Sequence, residues 1–177
     1  MPKKPGNKPS NIKLIVLDVD GVMTDGRIII GSDNTEYKSF DVKDGTGVTL
    51  AHYAGIEFAI ISGRFSKVID ARAKELKIKA IYQDVMVKAE AYEKVKKRFK
   101  LKDENICFIG DEIIDITVLE KCGFSACPSD AVPEVKRIVD YVCKKPGGKA
   151  CVREVIEIVL KKRGLWKKAV KKYLRYE

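Results

Sequence analysis

The chain has 177 residues, 45% of them apolar, which suits one domain with a sizeable core and excludes a disordered chain. No apolar run reaches the roughly 18 residues a membrane-spanning helix needs, and the basic start "MPKKPGNKPS" lacks the apolar centre of a signal peptide, so a cytoplasmic protein without a membrane span is expected. The net charge of +10 lies at the ends: residues 1–10 hold three lysines and no acid, residues 161–177 hold eight Lys/Arg and one Glu, and the other 24 basic and 24 acidic side chains cancel, which excludes a basic groove and leaves no nucleic-acid partner expected.

Residues 1–10 read as a flexible basic tail, 11–163 as the folded domain and 164–177 as a basic amphipathic segment. The domain opens on "KLIVL", a buried strand that runs into "DVDG". "GRIIIGSDNTEYKSF" follows, two strand-like runs (Arg27–Ile30 and Glu36–Phe40) around the turn residues "GSDN". Three consecutive isoleucines cannot all be buried by a two-stranded ribbon, which is itself marginally stable. The protruding hairpin is expected to pack on another subunit; the alternative is that it folds back on its own sheet.

From residue 45 onward, short β-branched runs ("FAIIS", "AIY", "ICFIG", "FSA", "DYVC") alternate with helical patterns ("GTGVTLAHYAG", "SKVIDARAKELK", "KAEAYEKVKKRF", "DITVLEKC", "PEVKRI"). Val68, Ile69, Arg72, Ala73 and Leu76, for example, recur at the spacing of one helix face. Alternation of this kind predicts a Rossmann-like, doubly wound α/β fold, a parallel sheet with helices on both faces, with ligands at the carboxyl ends of the strands. A last helix is expected over about residues 150–162. In "GLWKKAVKKYLRYE" an apolar stripe opposes lysines; it could dock on this fold, on a neighbouring subunit or on a membrane surface. The five cysteines (107, 122, 127, 143 and 151) contain no CxxC pair and sit among apolar neighbours, so they read as buried, reduced thiols.

Four features stand where strands end. Asp18 and Asp20 have the period-two spacing that places two side chains on one strand face, from which they can converge past the strand end. One carboxylate can act as a covalent nucleophile toward phosphorus and the other as acid and base, although "DVDG" also suits a plain turn. Ser62, in "ISGR", can seat a phosphate at a strand-to-helix turn or simply cap the helix. Lys88 opens a helix, where its charge opposes the dipole unless an anion offsets it. In "IGDEIID", Asp111, Glu112 and Asp115 follow a buried strand; the helix dipole favours acids there, and so does a hard cation such as Mg²⁺.

Together, Asp-x-Asp, Ser, Lys and Gly-Asp-x-x-x-Asp, in this order on an α/β pattern, resemble the haloacid dehalogenase superfamily. The resemblance implies Asp18 as nucleophile, Asp20 as acid/base, Ser62 and Lys88 on the phosphoryl oxygens, and Asp115 orienting Lys88 or a metal-bound water. It also implies Mg²⁺ on Asp18, Asp111 and the Asp20 backbone carbonyl. Only 41 residues separate Asp20 from Ser62 and 25 separate Ser62 from Lys88, so no cap domain fits. "DVDGVMTDGRI", "FDVKDGTGV", "ISGR" and "GGKACVREV" are similar to the capless 3-deoxy-D-manno-octulosonate 8-phosphate phosphatases. That similarity implies a homotetramer, a phosphorylated sugar acid as substrate and a place in lipopolysaccharide biosynthesis. A sister group acting on sialic or deaminated neuraminic acid 9-phosphates tends to have Glu after the glycine of "SG", where this chain has Arg64. Gly63, Arg64, Arg72, Lys43 and Lys149 are the candidates for binding substrate beyond Ser62 and Lys88, with Lys149 reaching a neighbour's site. Three positions depart from the family pattern: Lys43 and Lys149 replace arginine and lose its bidentate fork, and Glu112 replaces Asp. A reading of another class is a non-catalytic oligomerisation module; the intact acid set argues against it.

Overall fold

Leu14–Leu17 forms β1, buried on both faces because apolar residues occupy every position. The structure, a computed structural model, describes residues 9–175, so most of the N-terminal tail expected over residues 1–10 lies outside the described residues. β2 (Ile29–Ile30) and β3 (Glu36–Tyr37) pair antiparallel as the hairpin, with Ile29 opposite Tyr37. Thereafter strands and helices alternate: α1 (Val42–Tyr53), β4 (Glu57–Ile61), α2 (Lys67–Glu75), β5 (Ala80–Tyr82), α3 (Lys88–Phe99), β6 (Ile106–Ile109), α4 (Ile116–Leu119), β7 (Phe124–Cys127), α5 (Pro133–Lys136), β8 (Tyr141–Val142), α6 (Cys151–Lys162) and α7 (Trp166–Tyr173).

Six strands form one parallel sheet in the order β5-β4-β1-β6-β7-β8. β1 is central, and the chain winds outward from it in both directions. The carboxyl ends of β1, β4 and β6 therefore line the crevice where strand order reverses, the ligand position of doubly wound sheets. Strand alternation sorts the core into two layers. Ile15 and Leu17 pack with α1 and α6 on one face, and Leu14 and Val16 pack with Ala91, Tyr92 and Val95 of α3 on the other.

α1 starts three residues before the expected "GTGVTLAHYAG". Asp41 caps it, its Oδ1 accepting the Lys43 N–H at 2.7 Å, so "VKDG" is the first helical turn. This turn buries Asp44 against α6, where its Oδ1 accepts the Arg153 N–H at 2.7 Å. α6 has no side-chain cap of its own, so Asp44 satisfies one of its terminal donors from a neighbouring helix. Burial pushes the Asp44 carboxyl up to about 7, against the pull of the Arg153 N–H.

Of the three surfaces open to the C-terminal segment, α7 takes its own fold. Ala169 is buried, the Trp166 ring lies under Arg153 and Lys161, and Tyr173 packs against Tyr53 of α1. All five cysteines are buried and none forms a disulfide. Among the described residues no helix is long and apolar enough to cross a membrane.

Candidate active site

Period-two geometry carries Asp18 past β1 onto the face shared by Leu14 and Val16, the face that α3 covers. Lys88 is the first residue of α3 and reaches back under this strand end. Its Nζ donates to Asp18 Oδ1 at 2.7 Å and to Asp115 Oδ1 at 2.6 Å, with all three groups buried. The other oxygen of Asp115 accepts the backbone N–H groups of Asp111 and Glu112. Asp115 is thus fully engaged as a post for Lys88 and for the turn after β6. Glu112 turns aside and caps that turn, its Oε1 accepting the Ile113 N–H at 2.6 Å.

Asp111 completes the group. Ligand-capable oxygens of Asp18, Asp111 and Asp115 lie within 4.8 Å of one another. Gly21, at φ +88°, passes so close to Asp111 that a Cβ there would stand 2.0 Å from its Oδ2; only glycine fits. Asp111 Oδ1 is buried without a hydrogen-bond partner. Burial, reinforced by Asp18 and Asp115, raises the Asp111 carboxyl well above its ordinary value. Burial also raises Asp18, with Lys88 opposing and Asp115 reinforcing. For Lys88 burial works against the charge, but Asp18 and Asp115 outweigh it and hold the ammonium above the usual lysine range. Three carboxylates facing one ammonium are short of positive charge, and buried anions are stable only when neutralised. An oxygen-only donor set with an unpartnered Asp111 oxygen fits a hard divalent cation such as Mg²⁺.

Ser62 follows β4 and is buried beside this group. Its hydroxyl donates to the Arg64 carbonyl at 3.0 Å and accepts the Arg64 N–H, which tightens the Ser62-Gly63-Arg64 turn. Arg64 reaches from that turn to Asp20 at 3.8 Å and to Glu36 at 3.2 Å. The hairpin's return strand supplies Lys38, whose ammonium pairs with Asp20. Nothing in the sequence pattern marked Glu36 or Lys38. Their only signal was charge on a ribbon otherwise rich in isoleucine.

The expected residues Asp18, Asp20, Ser62, Gly63, Arg64, Lys88, Asp111 and Asp115 come together at the strand ends. Arg72 does not join them: its partners are Glu75, the Asp41 carbonyl and the Phe40 ring. Lys43 is exposed on the first turn of α1 and Lys149 is exposed beside the "DVDG" turn. The Gly-rich segment that delivers Lys149 crosses this turn closely, since a Cβ on Gly147 would stand 1.9 Å from the Gly21 carbonyl oxygen.

A parallel sheet with Asp-x-Asp, Ser, Lys and a distal acid pair at adjacent strand ends is the arrangement of a phosphoryl-transfer enzyme. Residues 58–154 match the model of the haloacid dehalogenase-like hydrolases. The chain is 40% identical over 157 residues to the 3-deoxy-D-manno-octulosonate 8-phosphate phosphatase KdsC of Escherichia coli K12, covering 89% of this chain and 84% of that one. It superposes on the corresponding phosphatase of Yersinia pestis with a TM-score of 0.88 at 36% identity, over 90% of this chain and 86% of that one. The Moraxella catarrhalis phosphatase, solved with a magnesium ion, a phosphate ion and a KDO molecule, gives a TM-score of 0.90 at 35% identity, over 93% and 95% of the two chains. The chain belongs to the haloacid dehalogenase-like hydrolases and, among them, to the family of phosphoric monoester hydrolases represented by KdsC.

Proposed function

We propose that this protein hydrolyses 3-deoxy-D-manno-octulosonate 8-phosphate through an aspartyl-phosphate intermediate, in the supply of this sugar acid for lipopolysaccharide. The observation that carries the chemistry is the buried Asp18–Lys88–Asp115 bridge beside the unpartnered Asp111 oxygen. The likeness to KdsC along most of the chain supports the substrate.

An Asp18 oxygen attacks phosphorus in line, and the bond from phosphorus to the sugar oxygen breaks as the new bond forms. Asp20 gives its proton to the departing oxygen, then takes one from the water that attacks the aspartyl phosphate. Phosphate leaves and Asp18 is restored. Ser62 and Lys88 hold the phosphoryl oxygens, and Asp115 fixes Lys88. Asp18, Asp111 and the Asp20 carbonyl would hold Mg²⁺, whose chemistry is neutralisation of charge on the transferring group. Arg64, on the Gly63 turn, is the cation offered for the sugar-acid end, Lys43 is a further substrate-binding candidate, and Lys149 reaches a neighbouring copy's site.

A homotetramer completes this reading. Ile28 and Ile30 are 55% and 63% exposed on the hairpin, and Phe65, Met86, Val87 and Ile113 form an exposed apolar rim around the strand ends. With no cap domain, neighbouring copies are the remaining means of covering that rim and excluding water from the reaction. Five reduced, buried thiols support a cytoplasmic location.

The test is phosphate release from 3-deoxy-D-manno-octulosonate 8-phosphate and from a sialic acid 9-phosphate, each with Mg²⁺. Preference for the octulosonate supports the reading; preference for the nine-carbon substrate, or release from neither, overturns it.

A further inference from the structure

Lys38 follows β3 on the hairpin's return strand, and its side chain is 1% exposed. Burying an ammonium gives up hydration, and ordering a lysine gives up rotamer freedom. Those costs must be offset by specific partners, and Lys38 has two acids: the Asp20 carboxylate, which it bonds directly, and Glu36 at 3.5 Å. Arg64 closes the circuit, 3.8 Å from the other Asp20 oxygen and 3.2 Å from Glu36. Two acids and two cations balance. The neighbouring Asp18–Asp111–Asp115 group is short of positive charge, whereas in this one two cations stand at ion-pair distance from two acids.

We propose that Lys38 is a positioning residue that holds the Asp20 carboxylate in line with the departing oxygen, so that the hairpin is part of the catalytic apparatus. Asp20 needs such a hold. It lies three residues beyond β1, at the Gly21 turn, where sheet register no longer dictates the direction of a side chain. A clamp from a separate segment supplies the missing restraint. The inference rests on the reading of Asp20 as the group that serves the leaving oxygen, and it predicts a defect that depends on the leaving group. A sugar alkoxide needs the proton and an activated aryl oxide hardly does.

The experiment measures turnover of 3-deoxy-D-manno-octulosonate 8-phosphate and of p-nitrophenyl phosphate by the full-length protein and by Lys38→Met, which keeps the side chain's length without its charge. Displacing a proton donor by about an ångström costs on the order of 10²-fold. A kcat loss of that size is expected on the sugar phosphate, with a small change in KM and a much smaller loss on the aryl phosphate. Lys38→Arg should recover part of the sugar-phosphate turnover. In an Asp20→Asn background, Lys38→Met should add no further loss, since the pair acts as a unit. Equal losses on both substrates, or full additivity with Asp20→Asn, overturn the proposal. Asp20→Asn turning over the sugar phosphate normally overturns the reading of Asp20 instead. Should Lys38→Met fail to fold, Glu36→Gln loosens Lys38 while keeping its charge; an unchanged ratio of sugar-phosphate to aryl-phosphate turnover then overturns the inference. If the wild type ignores the octulosonate, any alkyl phosphomonoester it hydrolyses reads the same ratio.

Discussion

The strand-end acids and the β2–β3 hairpin are completed by different means. Asp18, Lys88 and Asp115 find their partners within the chain and lie almost wholly out of solvent. The hairpin reverses this. Its return strand is anchored by Lys38 at Asp20, while Ile28, Ile29, Ile30 and Tyr37 each stay at least half exposed among the described residues. Charge is the reason for the difference. A buried carboxylate without a partner costs so much that the fold must provide one locally, whereas exposed isoleucines cost only their contact with water, which a second copy can relieve.

The largest effect should come from breaking the strand-end region. Asp18→Asn replaces the nucleophile with an isosteric amide; turnover should fall roughly 10³-fold or more, with the circular dichroism spectrum unchanged. Phosphate release near wild-type rates would remove Asp18 from its role. Asp20→Asn should cost about 10²–10⁴-fold on the sugar phosphate and less on p-nitrophenyl phosphate, as read by parallel steady-state assays.

Removing the metal probes the charge deficit of the same region. Excess chelator should stop turnover and added Mg²⁺ should restore it, and Asp111→Ala should raise the Mg²⁺ concentration needed for half-maximal rate. Undiminished activity in chelator would contradict the deficit inferred from the three carboxylates.

The hairpin is tested by making its outward face unfit for a partner. Fully burying an exposed isoleucine is worth about 1.5–3 kcal/mol, and Ile28 and Ile30, 55% and 63% exposed, have roughly half of that left to gain at an interface. Ile28→Asp with Ile30→Asp should therefore yield smaller species by light scattering. Turnover of the sugar phosphate should drop and that of the aryl phosphate less, because the small substrate has no sugar to position. A fully active wild-type monomer would refute this.

The smallest effect lies outside both regions, at Asp44. Its folded value, about 7, stands above the ordinary 3.8. The unfolded chain therefore releases this proton first. Its contribution to stability falls as pH rises from near 3.8 through about 7, and is level above that. Asp44→Asn keeps an oxygen for the Arg153 N–H and has no charge to bury. Denaturant midpoints of the variant should lose less than those of the wild type between pH 4 and pH 8, a range chosen about that window. Parallel curves would exclude Asp44 as the source.

Much of this was legible in the sequence because it follows from local rules. The six sheet strands are short β-branched runs between helical patterns, and alternation along β1 puts Asp18 on the α3 face, where Lys88 waits. The missing cap domain was a matter of counting residues. The start of α1 was less legible: the helical pattern "GTGVTLAHYAG" begins at Gly45, whereas Asp41 caps the helix so that it begins at Val42. Arg72 looked available as a cation on an amphipathic helix, yet the fold packs it on Phe40 and Glu75.

The sequence by itself determined the layered α/β order and the placing of its acids at strand ends, since period and turn chemistry act between neighbours in the chain. Tertiary structure alone decided which charges meet. Lys38 on Asp20, Asp44 on the start of α6, Glu36 on Arg64 and both oxygens of Asp115 engaged are contacts between segments remote in sequence or set by the closing of a turn. Their pairing depends on distances of a few ångströms in a desolvated interior, and no periodicity along the chain encodes those.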